Sequence, residues 1–298
     1  MMKRETIRTI LVTVIVIIAI VWSVRFFVVE PYRVPPGQME NSLLPGDRLW
    51  VDKWSFRWGH RTPARRDLLV FTLPSLHQPQ SASDEVAMAR CIGLPGDTIR
   101  STGNLLFINR KAVAQPPLIL EAYLSPDSMR NDVNRTLRQN KAQFVEQGKV
   151  GSDRLLFLSR YDYDKVRKQL APDSLLYPVF LNRDSYEITL PRKGKNIRVT
   201  PQNAEMLAYL LTQYENCPVT CREGKIYHGD RIVTQCRLSQ DYYWVIGDNR
   251  AGMADSRTFG PLPHSLLMGK GLWIGYSRDP EKPFWQSFRT DRFFTRPL

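Results

Sequence analysis

The sequence predicts a mostly β fold, in which an antiparallel β-sheet domain with an α/β insertion follows one N-terminal transmembrane helix. Short apolar segments that alternate at period two recur along the chain, and Pro-Gly pairs such as Pro45-Gly46 separate them. One long apolar run precedes these segments, and no stretch after Glu30 approaches the roughly 18 apolar residues of a second span. These observations exclude a disordered chain and a multi-span membrane protein.

The apolar run at residues 9–29 is long enough to cross a bilayer as a helix. At ~1.5 Å per residue, its 21 residues span ~31 Å, which matches the hydrocarbon core. The residues that follow lack the small-x-small cleavage pattern of a signal peptide, so we expect the anchor to be retained. Lys3, Arg4 and Arg8 precede the run, and the positive-inside rule therefore places residues 1–8 in the cytoplasm and the rest outside it.

The chain is strongly basic, with 42 Lys and Arg against 29 Asp and Glu and a formal net charge of +13 over 298 residues. Such a balance suits nucleic acid, an anionic membrane surface or an acidic partner. Because the predicted orientation puts the basic body outside the cytoplasm, we expect the membrane, and no nucleic acid, as a partner. The basic aromatic tail at residues 278–298 is expected to lie near the anionic bilayer surface, with a plainly packed tail as the alternative.

The segments after the anchor are predicted, in order, as strands, a less regular insertion, one helix and further strands. Alternating or continuous apolar patterns predict strands over 47–54, 67–72, 105–113, 242–246 and 271–276, with a turn at 109–111. Residues 114–185 are more polar and less patterned, which indicates an inserted subdomain. The helix has Thr200 as N-cap, Pro201 as its first residue, and an apolar face of Leu207, Leu210, Leu211 and Tyr214.

Four boxes of residues follow the anchor in a fixed order. They lie at Glu30–Asp47, at Asp47–Lys53 together with Pro63–Asp67, at Ala89–Asp97 and at Gly247–Arg257. With the anchor, they resemble the boxes of the type I signal peptidases, the family of the bacterial leader peptidase, over residues 30–113 and 224–277. The resemblance implies a signal peptidase I-like domain over residues 30–113 and 186–277, with neither cofactor nor metal. It also implies a single-pass protein of the bacterial inner (plasma) membrane, with the bulk of the chain periplasmic.

The residues that carry the reaction of that family are absent from these boxes. The resemblance places the nucleophilic serine at Gln38, the lysine base at Ala89, the oxyanion-hole hydroxyl at Pro36 and the lysine-orienting serine at Met253. A carboxamide is a poor nucleophile and a methyl group accepts no proton, so these residues do not form a serine/lysine dyad. We therefore expect a homologue that lacks the catalytic dyad.

The residues that the resemblance assigns to turns, braces and peptide binding are retained. The turn and brace residues are Gly93, Pro95, Gly96, Asp97, Gly247, Asp248, Asn249, Arg250, Asp255 and Arg257. Asp97, Asp248 and Asp255 are therefore interpreted as turn or ion-pair residues rather than as a catalytic carboxylate pair. An extended signal peptide would bind by strand addition, which uses backbone groups. The residues predicted to make this contact are Val34, Pro35, Gly37, Gln38 and Met39.

These predictions indicate a membrane protein that acts in signal-peptide processing but does not cleave the signal peptide. It would bind the signal peptides of exported proteins or partner an active signal peptidase paralogue. One alternative is an active serine endopeptidase with displaced residues, for example Ser42 with Lys53 or His60 as base. The other is a membrane-anchored scaffold without a peptide ligand, in which the insertion carries the interaction.

The four cysteines form an even set, which permits two disulfides in a non-reducing compartment. Cys217 and Cys221 could close a small loop after the helix, while Cys91 is expected to be a buried free thiol. Cys217, Cys221 and Cys236 with His228 could also be proposed as zinc ligands, but a C-x3-C pair with one histidine is a weak signal, and no metal site is predicted.

Overall fold

The computed structural model describes residues 8–17, 29–34, 39, 42–57, 61–74, 85–102, 105–113, 120–170, 175–178, 185–249 and 255–297. Strands dominate, as predicted. The helices are residues 8–17 (α1), Trp54–Arg57 (α2), Arg130–Gln139 (α3), Arg160–Arg167 (α4), Ala204–Tyr214 (α5) and Ser256–Phe259 (α6). Short 3-10 helices lie at Asp127–Met129, His264–Leu266, Phe284–Gln286 and Thr290–Arg292. The strands are β1 Val29–Arg33, β2 Asp47–Asp52, β3 Leu68–Thr72, β4 Val86–Gly93, β5 Thr98–Thr102, β6 Leu105–Ile108, β7 Lys111–Ala112, β8 Leu120–Pro126, β9 Phe144–Val150, β10 Asp153–Ser159, β11 Tyr177–Pro178, β12 Tyr186–Thr189, β13 Asn196–Arg198, β14 Thr220–Arg222, β15 Lys225–His228, β16 Arg231–Val233, β17 Gln235–Arg237, β18 Tyr242–Ile246, β19 Leu262–Pro263 and β20 Leu267–Ser277.

A seven-stranded sheet of order β1-β2-β20-β3-β4-β18-β19 forms the centre of the fold. Its strand pairs are all antiparallel, which confirms the predicted sheet type. Along β2, Leu49 and Val51 are buried while Trp50 faces outward, as the period-two pattern predicted. Trp50 stacks on Trp273 of the neighbouring β20, with ring centroids 6.3 Å apart.

Smaller sheets flank the central one. The order β12-β5-β6-β7 makes a four-stranded sheet, β13 pairs with β17, and β14-β15-β16 make a three-stranded meander next to α5. The predicted turn at 109–111 lies between β6 and β7, where Asn109 and Arg110 both adopt positive φ, at 50° and 67°. The predicted strand at 105–113 is therefore a hairpin of two short strands.

The predicted helix near residue 200 exists, but it begins three residues later than expected. Thr200 is not the N-cap and Pro201 is not helical, because α5 starts at Ala204 with Asn203 as its N-cap. The Asn203 side chain accepts a hydrogen bond from the Thr200 backbone N–H at 2.8 Å. With the bond from the Asn203 N–H to the Thr200 carbonyl at 3.1 Å, it closes a turn over residues 200–203 that precedes the helix.

Residues 120–170 and 175–178 build a separate sheet of order β11-β8-β10-β9, packed with α3 and α4. This unit has its own apolar core, which includes Tyr123, Val133, Leu137, Leu156 and Val166. β8 starts beside the fourth box: the Leu120 N–H donates to the Asp248 carbonyl at 3.2 Å, and Leu120 forms a parallel bridge with Asn249. The start of the unit is thereby tied to the box that contains Asp248.

In the N-terminal part of the chain the structure describes residues 8–17, which are helical (α1). Among the described residues, no helix combines the length and apolar character required to cross a bilayer. Residues 18–28 of the predicted anchor, and residues 1–7 before it, lie outside the described residues.

The C-terminal tail packs against the body through its arginines and exposes its aromatic residues. Arg292 pairs at 2.7 Å with the fully buried Asp47, and Arg289 pairs at 3.2 Å with Asp279. Trp285 and Phe294 are 87% and 77% exposed. Two of the tail arginines that were expected to face anionic lipid therefore bind carboxylates of the protein itself.

All four cysteines lie in the described part of the chain and carry free thiols, so neither of the two permitted disulfides is present. Cys91 is buried as expected, and burial raises the pKa of its thiol to about 12. The Cys217–Cys221 loop closure is absent, because Cys221 lies in β14, paired opposite Ile226 of β15.

Candidate functional site

Ala89, the base position implied by the sequence resemblance, lies within β4 with its side chain fully buried. It shares a core cluster with Leu69, Phe71 and Phe259. The preceding residue, Met88, points to the opposite face of β4. It packs there in a different apolar cluster, which contains Met39. A methyl group in a closed core offers no proton acceptor, so β4 presents no general base at this position.

Asp248 lies at the centre of a buried polar cluster beside Met39. Arg90 Nε donates to both carboxylate oxygens of Asp248, at 3.0 and 2.9 Å, and Ser42 Oγ donates to Oδ2. The Asp248 backbone N–H points at Met39 Sδ, 3.4 Å away. Ser42 and Asp248 are 7% and 5% exposed, so the charge-assisted hydrogen bonds of this cluster are shielded from water.

Ser42 and Lys53, which the active-enzyme alternative would combine, are held in separate interactions. The Ser42 hydroxyl is occupied by a carboxylate that Arg90 already neutralises. Lys53 pairs with Glu30 and lies over the Tyr32 ring. Burial favours the neutral amine of Lys53, but the hydrogen bonds to Glu30 and Tyr32 outweigh it and raise the pKa of Lys53. A lysine held protonated in this way is a poor general base.

Asp255 is the acceptor that shapes the end of the fourth box. Its fully buried carboxylate accepts from Arg257 Nε at 2.9 Å, from Arg257 Nη2 at 2.8 Å and from the Gly247 N–H at 3.1 Å. It also caps α6 by accepting from the Arg257 backbone N–H at 3.0 Å. All acceptor positions of this carboxylate are thus used to hold the loop, which leaves none for catalysis.

Asp97 closes the Pro95-Gly96 turn that follows β4. It accepts from Arg65 Nη2 at 2.8 Å, Asn109 Nδ2 at 2.8 Å and the Leu94 N–H at 2.6 Å. Burial opposes ionisation, but these three donors together lower the pKa of Asp97 below its usual range. Gly96 has φ of 93°, a backbone conformation that a side chain would disfavour.

We expect Asp97→Asn to reduce the free energy of unfolding by about 1–3 kcal/mol at neutral pH, because three donors lose a charged acceptor. A depressed carboxyl pKa stabilises the folded chain above the unfolded value of about 3.9, and this stabilisation is lost as the pH falls through the lowered pKa. Urea unfolding of the unchanged protein and of the Asp97→Asn variant should be measured across pH. The difference between their free energies of unfolding should be constant above about pH 5 and should decrease below it. Asp230→Asn, at an exposed turn carboxylate, should change stability by less than about 0.5 kcal/mol. If the difference in the free energy of unfolding for Asp97→Asn stayed constant down to the lowest pH, the negative charge of Asp97 would not be the source of the stabilisation.

Several predicted site residues lie outside the described residues: Pro35, Pro36, Gly37, Gln38, Arg250, Met253 and the alternative base His60. Val34 and Met39 are described, and both are buried in the same cluster. The sequence interpretation missed Arg90, Arg65 and Asn109, which hold Asp248 and Asp97. A signal for the first existed, since Arg90 directly follows Ala89 in the third box.

No group of three or more metal-ligating side chains forms among the described residues. That search includes Cys217, Cys221, Cys236 and His228, so the zinc alternative has no support in the geometry. Cys236 and Cys217 instead pack against the core around α5, and burial raises the pKa of Cys236 to about 11.

Comparison with known proteins identifies the family. The family model described as signal peptidase, peptidase S26, matches residues 6–162 and 185–276. Signal peptidase I of Buchnera aphidicola subsp. Baizongia pistaciae is 25% identical over 276 residues, which cover 87% of this chain and 73% of that protein. Signal peptidase I of Haemophilus influenzae is 25% identical over 285 residues, covering 94% and 72%. A crystal structure of a signal peptidase I from Enterococcus faecalis V583 is matched at 15% identity and a TM-score of 0.28, over 71% of this chain and 98% of that chain. On the family match, which extends over most of the chain, this protein belongs to the signal peptidase family, peptidase S26.

Proposed function

We propose that this chain is a catalytically inactive member of its family, which binds the signal peptides of exported proteins beside an active signal peptidase paralogue. The observation that carries the proposal is Ala89, a fully buried methyl group at the position where the family places its lysine base. Gln38 stands at the nucleophile position in the sequence. A chain with neither a hydroxyl nor an amine at these positions has no route to an acyl-enzyme by the family's dyad.

The same proposal includes the membrane anchor at residues 9–29, the cytoplasmic residues 1–8 and a periplasmic body. Support comes from α1, whose aliphatic side chains are roughly half exposed. They are Ile10, Leu11, Val12, Val14, Ile15, Val16 and Ile17. Such a surface is stable in hydrocarbon but not in water. We also propose the division of the body into a domain of residues 30–113 and 186–277 and an insertion of residues 114–185.

Peptide binding by strand addition is supported by the position of β1. This strand is at one edge of the central sheet, where its inner side pairs with β2. The Val34 N–H points inward to the Asp47 carbonyl at 3.2 Å, so the N–H of Arg33, one residue earlier, points away from the sheet. Pro31 and Pro35 carry no N–H. Arg33 therefore offers the outward backbone donor between the two prolines.

We expect Arg33→Pro to weaken signal-peptide binding about tenfold, because it removes that donor while leaving the ladder to β2 intact. Binding would be measured by fluorescence anisotropy of a labelled signal peptide with the full chain in detergent. Arg33→Gln is the matched control, since it removes the charge but keeps the N–H, and it should bind within about twofold of the unchanged protein. Equal affinity of the proline and glutamine variants would argue against strand addition at β1.

The proposal as a whole is tested by following cleavage and binding together. The full chain would be mixed with a preprotein at comparable concentrations, and products would be analysed by mass spectrometry. Saturable binding with no product supports an inactive binder. Cleavage after a small-x-small motif would establish the active alternative. Absence of binding, with crosslinks to partners confined to residues 114–185, would establish the scaffold alternative.

A further inference from the structure

A basic groove of 420 Å³ opens in the central sheet where β3 and β20 separate. The pairing of β20 with β3 ends at Lys270 opposite Leu69, whereas the other edge of β20 stays paired with β2 from Lys270 through Gly271 onward. The groove lies beyond that point. Its wall and rim carry the cations Arg66, Arg90, Lys270 and Arg296, one carboxylate, Asp67, and the ring of Trp273.

Two of the four cations of the groove have no carboxylate partner among the described residues. Lys270 Nζ pairs with Asp67 at 2.6 Å and Arg90 Nε with Asp248 at 2.9 Å, which leaves the guanidinium groups of Arg66 and Arg296. Arg66 and Arg296 are exposed, and no carboxylate of the described residues forms an ion pair with either. Two unpaired cations at one concave site create a positive potential that attracts an anion.

Arg90 adds a buried donor to this site. Asp248 engages only its Nε, and the buried Nη2 has no hydrogen-bond acceptor in the described part of the chain. A buried guanidinium donor without an acceptor is costly, and native structures normally satisfy it. Arg90, which lines the groove, therefore contributes an unused guanidinium donor, while its charge is paired with Asp248.

We propose that this groove binds the phosphate group of an anionic ligand. Three arginines around one cavity suit phosphate better than carboxylate, because phosphate presents more oxygens and accepts paired bonds from several guanidinium forks. The phosphate can belong to a lipid headgroup or to a soluble phosphate. Trp273 is 37% exposed at the groove, and Phe294 is 77% exposed two residues before Arg296. Aromatic side chains at such positions are typical of a membrane interface and favour the lipid.

The test titrates the full chain in nonionic detergent with inorganic phosphate at constant ionic strength, by isothermal calorimetry. The double variant Arg66→Gln with Arg296→Gln should raise the Kd for phosphate at least about tenfold. The matched control is Arg110→Gln with Arg100→Gln, which should change it by less than about twofold. Arg110 has φ of 67°, close to the 70° of Arg66, and Arg100 is an exposed strand residue outside the groove. If the double variant unfolds at a lower temperature than the unchanged protein, the single variant Arg296→Glu in the exposed tail replaces it. The same weakening of phosphate binding is expected.

A second arm separates the two sources of phosphate by native mass spectrometry of the full chain with phosphatidylglycerol or phosphatidylcholine. If the unchanged protein retains phosphatidylglycerol and the variant Arg66→Gln with Arg296→Gln (the groove variant) does not, the ligand is a lipid headgroup. If the unchanged protein binds phosphate but retains no lipid, and the groove variant does not bind phosphate, the ligand is a soluble phosphate. The proposal is overturned if acetate competes as well as phosphate, if groove and control variants bind equally, or if neither phosphate nor phosphatidylglycerol binds.

Discussion

The double substitution Gln38→Ser with Ala89→Lys is expected to give the chain signal-peptide cleavage that neither single substitution gives. A nucleophile and its base act as a unit, so each is nearly useless alone. Ala89 lies in a fully buried apolar cluster, where the desolvated amine of a lysine would have a lowered pKa and could accept the serine proton. We expect cleavage by the double variant to exceed that by the unchanged chain at least about 10³-fold, measured by mass spectrometry of preprotein products.

A matched control separates the dyad from the mere presence of a buried lysine. Ala87 lies two residues away on the same face of β4, equally buried in the same cluster. Gln38→Ser with Ala87→Lys should therefore cost similar stability and yield no cleavage. Adding Pro36→Ser and Met253→Ser to the active double variant should raise its rate by a further 10²-fold or so, because an oxyanion donor is restored. Cleavage by the unchanged chain, or equal rates for the double variants that carry Ala87→Lys and Ala89→Lys, would contradict the inactive-dyad proposal.

Local sequence patterns were sufficient to predict some of the strands and turns of this protein. The predicted strand at Tyr242–Ile246 has those same bounds, because a short run of large apolar residues between polar ones has few alternatives to a buried strand. The turn at 109–111 was likewise predictable from its Asn-Arg-Lys composition. These features depend on interactions within about ten residues, which a sequence displays directly.

The polar cluster around Asp248 was not predictable in the same way. Ser42 and Arg90 reach that carboxylate across 206 and 158 residues of chain, and only the strand order of the sheet brings them together. The tail shows the same limit, because composition does not distinguish an arginine that faces lipid from Arg292, which binds the buried Asp47. At α5 the local pattern predicted a start three residues too early, because residues 200–203 form a hydrogen-bonded turn before the helix begins.

The Asp255→Ala substitution is expected to lower the free energy of unfolding by about 3–5 kcal/mol. Asp255 is completely buried, and its loss removes the acceptor for the Gly247 N–H and for three donors of Arg257. The Arg257 side chain is only 18% exposed, so its charge would stay largely desolvated and lose its carboxylate partner. Urea unfolding of the full chain in detergent, followed by tryptophan fluorescence, measures the change.

Two comparisons show whether that cost arises from the broken ion pair between Asp255 and Arg257. Asp164→Ala removes a carboxylate that is 58% exposed and 4.0 Å from Arg167, and it should change stability by less than about 0.5 kcal/mol. The double variant Asp255→Ala with Arg257→Leu should lose less free energy of unfolding than the two single variants lose together. Each single substitution already breaks the same ion pair, so the double variant loses it only once. If the two costs simply add, the ion pair does not couple the residues. Asp255 would then stabilise the fold through its backbone contacts to Gly247 and to the start of α6 alone.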